Sequence, residues 1–194
     1  MKVDFFIVGA PKAGTTSLYH YLNQHPEIEM SKVKEPNYFS SKSIKDQGTY
    51  YNSNIVDNHM EYHSLFNLDN KTALFGEASV SYLFYHDVPA KIKKYNESSK
   101  IIIVLRNPVE RAFSHYLMDY RLGLVSQEFR NIINTLKESR DNNLFYQQYI
   151  ELGKYSEQVL RYINEFGIDN VLIIDYDNFK YNNKKVVQDI YSFL

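Results

Sequence analysis

Residues 5–18 read Phe-Phe-Ile-Val-Gly-Ala-Pro-Lys-Ala-Gly-Thr-Thr-Ser-Leu, and this stretch constrains the fold more than any other. The apolar run Phe5 to Val8 has the length and unbroken hydrophobicity of a strand buried on both faces. A turn bounded by Gly9 and Gly14 follows, and a helical pattern opens at Ser17-Leu18. Glycines in such a turn let the backbone approach a ligand closely, while the first amides and the dipole of the helix favour an anion. The spacing matches the nucleotide-binding pattern G-x-x-x-x-G-K-[ST] except at one letter: Thr15 stands where that pattern has lysine, and Lys12 lies inside the loop. The expectation is a phosphate cradle that grips differently from that of an ATPase.

Three further apolar runs, Ala73 to Phe75, Ile101 to Leu105 and Val171 to Ile174, read as buried parallel strands. Helical patterns separate them. Asn107-Pro108-Val109-Glu110 is a helix start, with Asn as N-cap, Pro at the first position and Glu at the third, and that helix is expected to reach about Gly123. Ser126-Gln127-Glu128 opens another, and Tyr155 to Phe166 carries apolar residues at 159, 160, 163 and 166 before Gly167. Alternating strands and helices predict an α/β fold with a central parallel sheet flanked by helices, and the glycine-bounded turn after the first strand makes the expected three-layer fold P-loop-like. The stretch from about 40 to 70, polar and aromatic with weak periodicity, is expected to be irregular.

With 194 residues, 44% of them hydrophobic, one sizeable core and a single domain over 1–194 are expected. The net charge of -1 gives no protein-wide attraction to nucleic acid, so an anion site must be built locally. No cysteine is present, which removes disulfides, thiolate nucleophiles and zinc-thiolate sites. The first strand begins just after Met1-Lys2, and no apolar run approaches membrane-spanning length, so no signal peptide, no membrane span and a cytoplasmic location are expected.

The displaced lysine carries a family resemblance. Ala10-Pro11-Lys12-Ala13-Gly14-Thr15-Thr16 resembles the loop that binds the 5′-phosphosulfate in sulfotransferases using 3′-phosphoadenosine 5′-phosphosulfate (PAPS). Ile101 to Tyr116 resembles the family's 3′-phosphate motif, in which an Arg ends a strand and a Ser follows on the next helix. Lys34 to Phe39, Gly76-Glu77-Ala78-Ser79 and the closing Ile190 to Leu194 are similar to the bacterial and heparan sulfate-type branch. The resemblance spans nearly the whole chain.

It implies PAPS as sulfuryl donor, no metal requirement, and release of adenosine 3′,5′-bisphosphate (PAP). The 5′ end would be held by the amides from Ala13 through Gly14 and Thr15 to Thr16, the hydroxyls of Thr15 and Thr16, and Lys12, which would stabilise the leaving oxygen. Arg106 and Ser114 would hold the 3′-phosphate, and Glu35 would be the base that takes the proton of a small-molecule or carbohydrate acceptor. A carboxylate suits that task when burial raises its pKa. Other readings stand beside these: a Glu35 pair with Lys32 or Lys34, an Arg106 pair with Glu110, and His115 as a rival base. Arg111 reads as equally solvated or structural, and His59 and His63 have metal-pair spacing without the rest of an HExxH pattern. Val171 to Asp175 resembles the magnesium-holding strand of a P-loop kinase or nucleotidase, the alternative activity; a non-catalytic nucleotide-binding module is the third.

Two departures from the family's pattern bear on substrate and cofactor. Ala78 stands where heparan sulfate enzymes carry Lys. Related chains also continue past the Phe-Leu pair into a Gly- and Lys/Arg-containing loop over the 3′-phosphate and adenine, whereas this sequence ends at Leu194, so a domain without that cover is expected.

Overall fold

The computed structural model describes residues 2–48, 55–67, 74–138 and 144–194, without the side chains of 136–138. Five strands form one sheet: β1 Phe5–Gly9, β2 Ile28–Met30, β3 Leu74–Ala78, β4 Lys100–Leu105 and β5 Val171–Asp175. All pairings are parallel, in the order β2-β3-β1-β4-β5. The helices are α1 Thr15–Leu22, α2 Ser41–Gln47, α3 His59–Ser64, α4 Val88–Tyr95, α5 Pro108–Arg121, α6 Phe129–Glu138, α7 Leu144–Tyr149, α8 Tyr155–Phe166, α9 Tyr176–Tyr181 and α10 Asn183–Phe193.

The central strands are apolar throughout because helices cover both faces of the sheet. Phe5, Phe6, Ile7 and Val8 in β1 and Ile101 to Val104 in β4 are fully buried. Helices α4 and α8 pack against each other, with α8 also on β4 and β5, while α1 and α10 form a second packed pair against β1 and β5. Gly76 marks how tightly the middle of the sheet is filled: a Cβ there would lie 2.1 Å from Phe5 Cζ and 2.6 Å from Met30 Sδ. A smaller apolar cluster of Ala112, Tyr116, Ile132 and Tyr149 fastens α6 and α7 to the outer side of α5.

Most sequence expectations hold to within one or two residues at the element ends. The strand expected at 73–75 begins at Leu74 and continues to Ala78, and residue 73 lies outside the described residues. The short strand β2 was not expected, since three residues carry no readable periodicity. The stretch 40–70 is only partly irregular: it holds α2 and α3 between residues outside the described set. In α3, Asn58 Oδ1 accepts from the Glu61 amide at 2.8 Å, a cap that overrides weak amphipathicity.

The strand order decides where a ligand can bind. The chain leaves β1 toward β2 on one side and later places β4 on the other, so the crossovers diverge beside β1 and β4 at their carboxyl ends. The glycine-bounded loop follows β1, Arg106 follows β4, and the Ala10 amide donates to Val104 O at 2.8 Å. Two segments about a hundred residues apart thus open into one crevice.

Candidate active site

Lys12, Gly14, Thr15, Thr16, Glu35, Arg106 and Ser114 all line one cleft of about 430 Å³, together with His115, Met118 and Tyr176. Ala13 is fully buried beneath the loop. The loop turns through left-handed backbone at Lys12, φ 65°, and at Gly14, φ 80°. Gly14 is the residue before α1 and provides no side-chain cap, so the first amides of the helix are open to an external acceptor. A Cβ on Gly14 would stand 3.1 Å from the Tyr176 ring, in addition to the strain of its φ.

Lys12 is half-buried, and its Nζ lies 3.5 Å from Met118 Sδ, a weak acceptor. Burial lowers its pKa from the ordinary lysine value, with the Asp119 charge opposing and the Arg121 charge adding to the shift. The Arg106 guanidinium stacks over the Tyr176 ring at 4.6 Å and donates to Lys12 O at 3.3 Å. It also makes the Glu110 pair foreseen in the sequence, at 3.3 Å, with the Glu110 side chain half-exposed. An exposed pair of this kind contributes little and leaves Arg106 available to a stronger anion. Lys12, Arg106, two threonine hydroxyls and free helix amides form the donor set a phosphate-bearing nucleotide needs, and the residues present fit such a group.

Glu35 faces this cleft and also a second cavity of about 80 Å³. That cavity is lined by Asn37, Ser81, Tyr85, Gln147 and Gln148 among others, so the α7 segment contributes a wall that sequence reasoning had not assigned. Burial, the condition under which a carboxylate suits the task of a base, is only partial at Glu35. Its side chain is 39% exposed and makes the Lys34 pair that the sequence offered as an alternative reading.

The backbone of that loop, by contrast, is firmly held. Glu35 and Asn37 have φ of 61° and 55°, left-handed values uncommon outside glycine. The Glu35 amide donates to Ala78 O at 2.8 Å, and the Asn37 amide donates to Ser79 Oγ at 3.1 Å. Ser79 Oγ in turn donates to Glu77 Oε1 at 2.6 Å, while the hydroxyls of Tyr62 and Tyr82 donate to Glu77 Oε2 at 3.0 and 2.8 Å. Glu77 is fully buried, and burial raises its pKa to about 7 against the three hydrogen bonds that favour the carboxylate. Glu77 was visible in the sequence only as part of a motif. Its role as the anchor beneath the Glu35 loop needed the fold.

Other readings resolve simply. Arg111 is structural: it is fully buried and donates from Nη2 to Gln148 O at 2.7 Å and Tyr149 O at 2.8 Å. Asp175 caps α9, accepting from the Asn178 amide at 2.8 Å, so the resemblance of β5 to a magnesium-holding strand has a local structural cause. His59 and His63 pack ring to ring at 4.3 Å. Among the described residues no three His, Cys, Asp or Glu side chains gather as metal ligands, and no helix is long and apolar enough to cross a membrane.

A parallel sheet whose first loop and fourth strand meet in a nucleotide-type anion cleft defines a P-loop-like α/β protein. Within that class, the sulfotransferase domain family matches residues 2–194, and the chain belongs to that family. It is 33% identical to a sulfotransferase of Alicyclobacillus acidocaldarius, whose crystal structure superposes with a TM-score of 0.87 over 100% of this chain and 81% of the other. Mouse sulfotransferase SULT7A1 complexed with PAP shares the fold, with a TM-score of 0.60 and 21% identity over 98% of this chain and 58% of its own. Human carbohydrate sulfotransferase 15 is 23% identical over 98% of this chain, which spans 43% of that relative's length. A Xenopus laevis bifunctional heparan sulfate N-deacetylase/N-sulfotransferase 1 is 25% identical over 97% of this chain and 21% of its own length.

Proposed function

We propose that this chain transfers the sulfuryl group of PAPS to a hydroxyl or amine of a carbohydrate acceptor. The observation that carries the reading is the single cleft in which Lys12, Thr15, Thr16, Arg106 and Ser114 converge, with Glu35 on the wall toward the second cavity. Family membership and the PAP complex of the mouse relative support the donor; the names of the carbohydrate and heparan sulfate relatives support the acceptor class.

The donor, when bound, supplies an activated sulfuryl group attached to a phosphate leaving group. The amides at the start of α1 and the hydroxyls of Thr15 and Thr16 hold the 5′ end, and Lys12 meets the negative charge that grows on the leaving oxygen. Because Lys12 sits half out of water, that charge is felt more strongly than in bulk solvent. Arg106 and Ser114 hold the 3′-phosphate, and Tyr176 keeps the Arg106 fork flat above the cleft. Glu35 takes the acceptor's proton from the side of the second cavity. Its left-handed loop, pinned to β3, fixes the direction of approach. That cavity's lining sets Gln147 and Gln148 among the apolar side chains of Ile44, Val80, Phe84 and Leu152, a mixture that suits the hydroxyl edge and apolar face of a sugar ring.

Positive charge from Lys12 and Arg106 covers the anionic donor without a metal ion in this reading. The kinase alternative is disfavoured by Thr15 in place of the loop lysine and by the capping role of Asp175. Calorimetric titration with PAP tests the reading, with ATP plus magnesium as comparator. PAP binding in the presence of a chelator, lost in Arg106→Ala, is the expected result; binding of ATP-magnesium alone would overturn it.

A further inference from the structure

The interior of α5 contains a buried imidazole that the proposed mechanism leaves unused. His115 is 1% exposed yet lines the cofactor cleft, one residue beyond Ser114. Its Nδ1 lies 3.4 Å from Arg111 Nη1. A guanidinium has only donors, so Nδ1 is the acceptor of this contact. The proton of the neutral ring therefore sits on Nε2, and among the described residues Nε2 has no hydrogen-bond partner. A second proton is opposed by burial, and then by the charges of Arg111 and Lys12, which together push the imidazole pKa down to about 3.

This arrangement removes His115 as a base. One nitrogen is already protonated, and the lone pair of the other faces a cation. What remains is a neutral N–H donor, buried and unsatisfied, beside a cleft whose ligand is an anion. Buried donors are normally satisfied, and an exception in a native site calls for a partner that arrives with the ligand. Arg111 is well placed to fix the tautomer because Gln148 O and Tyr149 O orient its guanidinium.

We propose that His115 donates its Nε2–H to an anionic oxygen at the 5′-phosphosulfate end of the bound donor, with Arg111 as the positioning residue that holds the required tautomer. The inference rests on the PAPS reading of the cleft. The 5′ end is favoured over the 3′ end on two grounds. Lys12 and His115 line the same cleft, and Lys12 Nζ reaches Met118 Sδ three residues further along the same helix. Successive helix positions also point about 100° apart, which turns His115 away from Ser114.

The test is calorimetry on the full chain with PAP, adenosine 5′-monophosphate and adenosine 3′-monophosphate, for wild type, His115→Phe and His115→Gln. His115→Phe is expected to weaken PAP and the 5′-monophosphate about tenfold, as loss of a hydrogen bond to a charged group does, and to spare the 3′-monophosphate. Gln keeps an N–H at a similar reach and is expected to restore most of the loss. Equal weakening of both monophosphates, or PAP binding by His115→Phe at wild-type strength, would overturn the proposal. Long-range ¹H–¹⁵N spectra of the ligand-free wild type provide a second readout independent of variant folding. An Nε2–H ring that does not titrate near neutrality is expected, and an Nδ1–H ring would refute the assignment. Failure of the wild type to bind PAP would instead strike the functional reading itself, and is seen in that arm alone.

Discussion

In the proposed reading the chemistry turns on Lys12, the lysine of the anion loop, whose partial burial keeps its charge poorly screened. Lys12→Ala is expected to lower turnover on the order of a hundredfold, the scale for losing a preorganised stabiliser of developing charge, while the melting temperature holds. Near-normal sulfuryl transfer by this variant would remove Lys12 from the mechanism. Glu35 answers a different question. With its carboxylate on the cleft wall and its backbone fixed by β3, Glu35→Gln is expected to abolish transfer and keep PAP affinity. Loss of PAP binding in Glu35→Gln would mean that the residue holds the loop rather than the proton. Lys12 was legible from the spacing of its loop, and Glu35 only through the family resemblance of Lys34 to Phe39. Their surroundings were legible only as alternatives: the sequence offered Lys32 and Lys34 as partners of Glu35, and the choice of Lys34 and the exposure of Glu35 depend on how residues 34–37 bend back over β3, which no local spacing encodes.

At the scale of elements, α5 carries the heaviest load. It begins with Asn107, whose Oδ1 accepts from the amides of Val109 at 3.0 Å and Glu110 at 3.3 Å, followed by Pro108 at its first position. One face then brings Ser114 to the cleft, while Arg111, His115 and Asp119 form a buried stripe toward α7. Tyr149 closes the stripe by donating to Asp119 Oδ2 at 2.6 Å. Asn107→Ala is expected to cost about 1 kcal/mol, the usual loss for an N-cap, measured by urea denaturation. A denaturation curve identical to wild type would show that Pro108 and packing suffice to start the helix. The cap and the helix were readable in advance because capping is local chemistry. The buried charged stripe was not, since Arg111 looks the same in sequence whether it faces water or Tyr149 O.

For the molecule as a whole, the sheet and the Glu35 loop meet at Glu77. Its pKa in the folded protein, about 7, lies above its ordinary value of 4.5, so the native state holds an extra proton between those values. The stability this group contributes is therefore complete below about 4.5, falls as pH rises through the window, and is gone above about 7. Chemical denaturation of wild type and Glu77→Gln from pH 5 to 8 is expected to show wild type losing ground to the variant as pH rises, by at most about 1.4 kcal/mol per pH unit. Parallel stability profiles would contradict the raised pKa. The sequence alone determined the fold class, the phosphate-type turn, the main strands and the capped helix, because strand hydrophobicity, glycine turns and caps act within a few residues of chain. The strand order that sets β4 beside β1, the second cavity walled by α7, the anchor at Glu77 and the tautomer of His115 were decided only by tertiary structure: the first three join groups distant in the chain in one buried space, and the Arg111 that sets the tautomer from one turn away is itself held by Gln148 O and Tyr149 O.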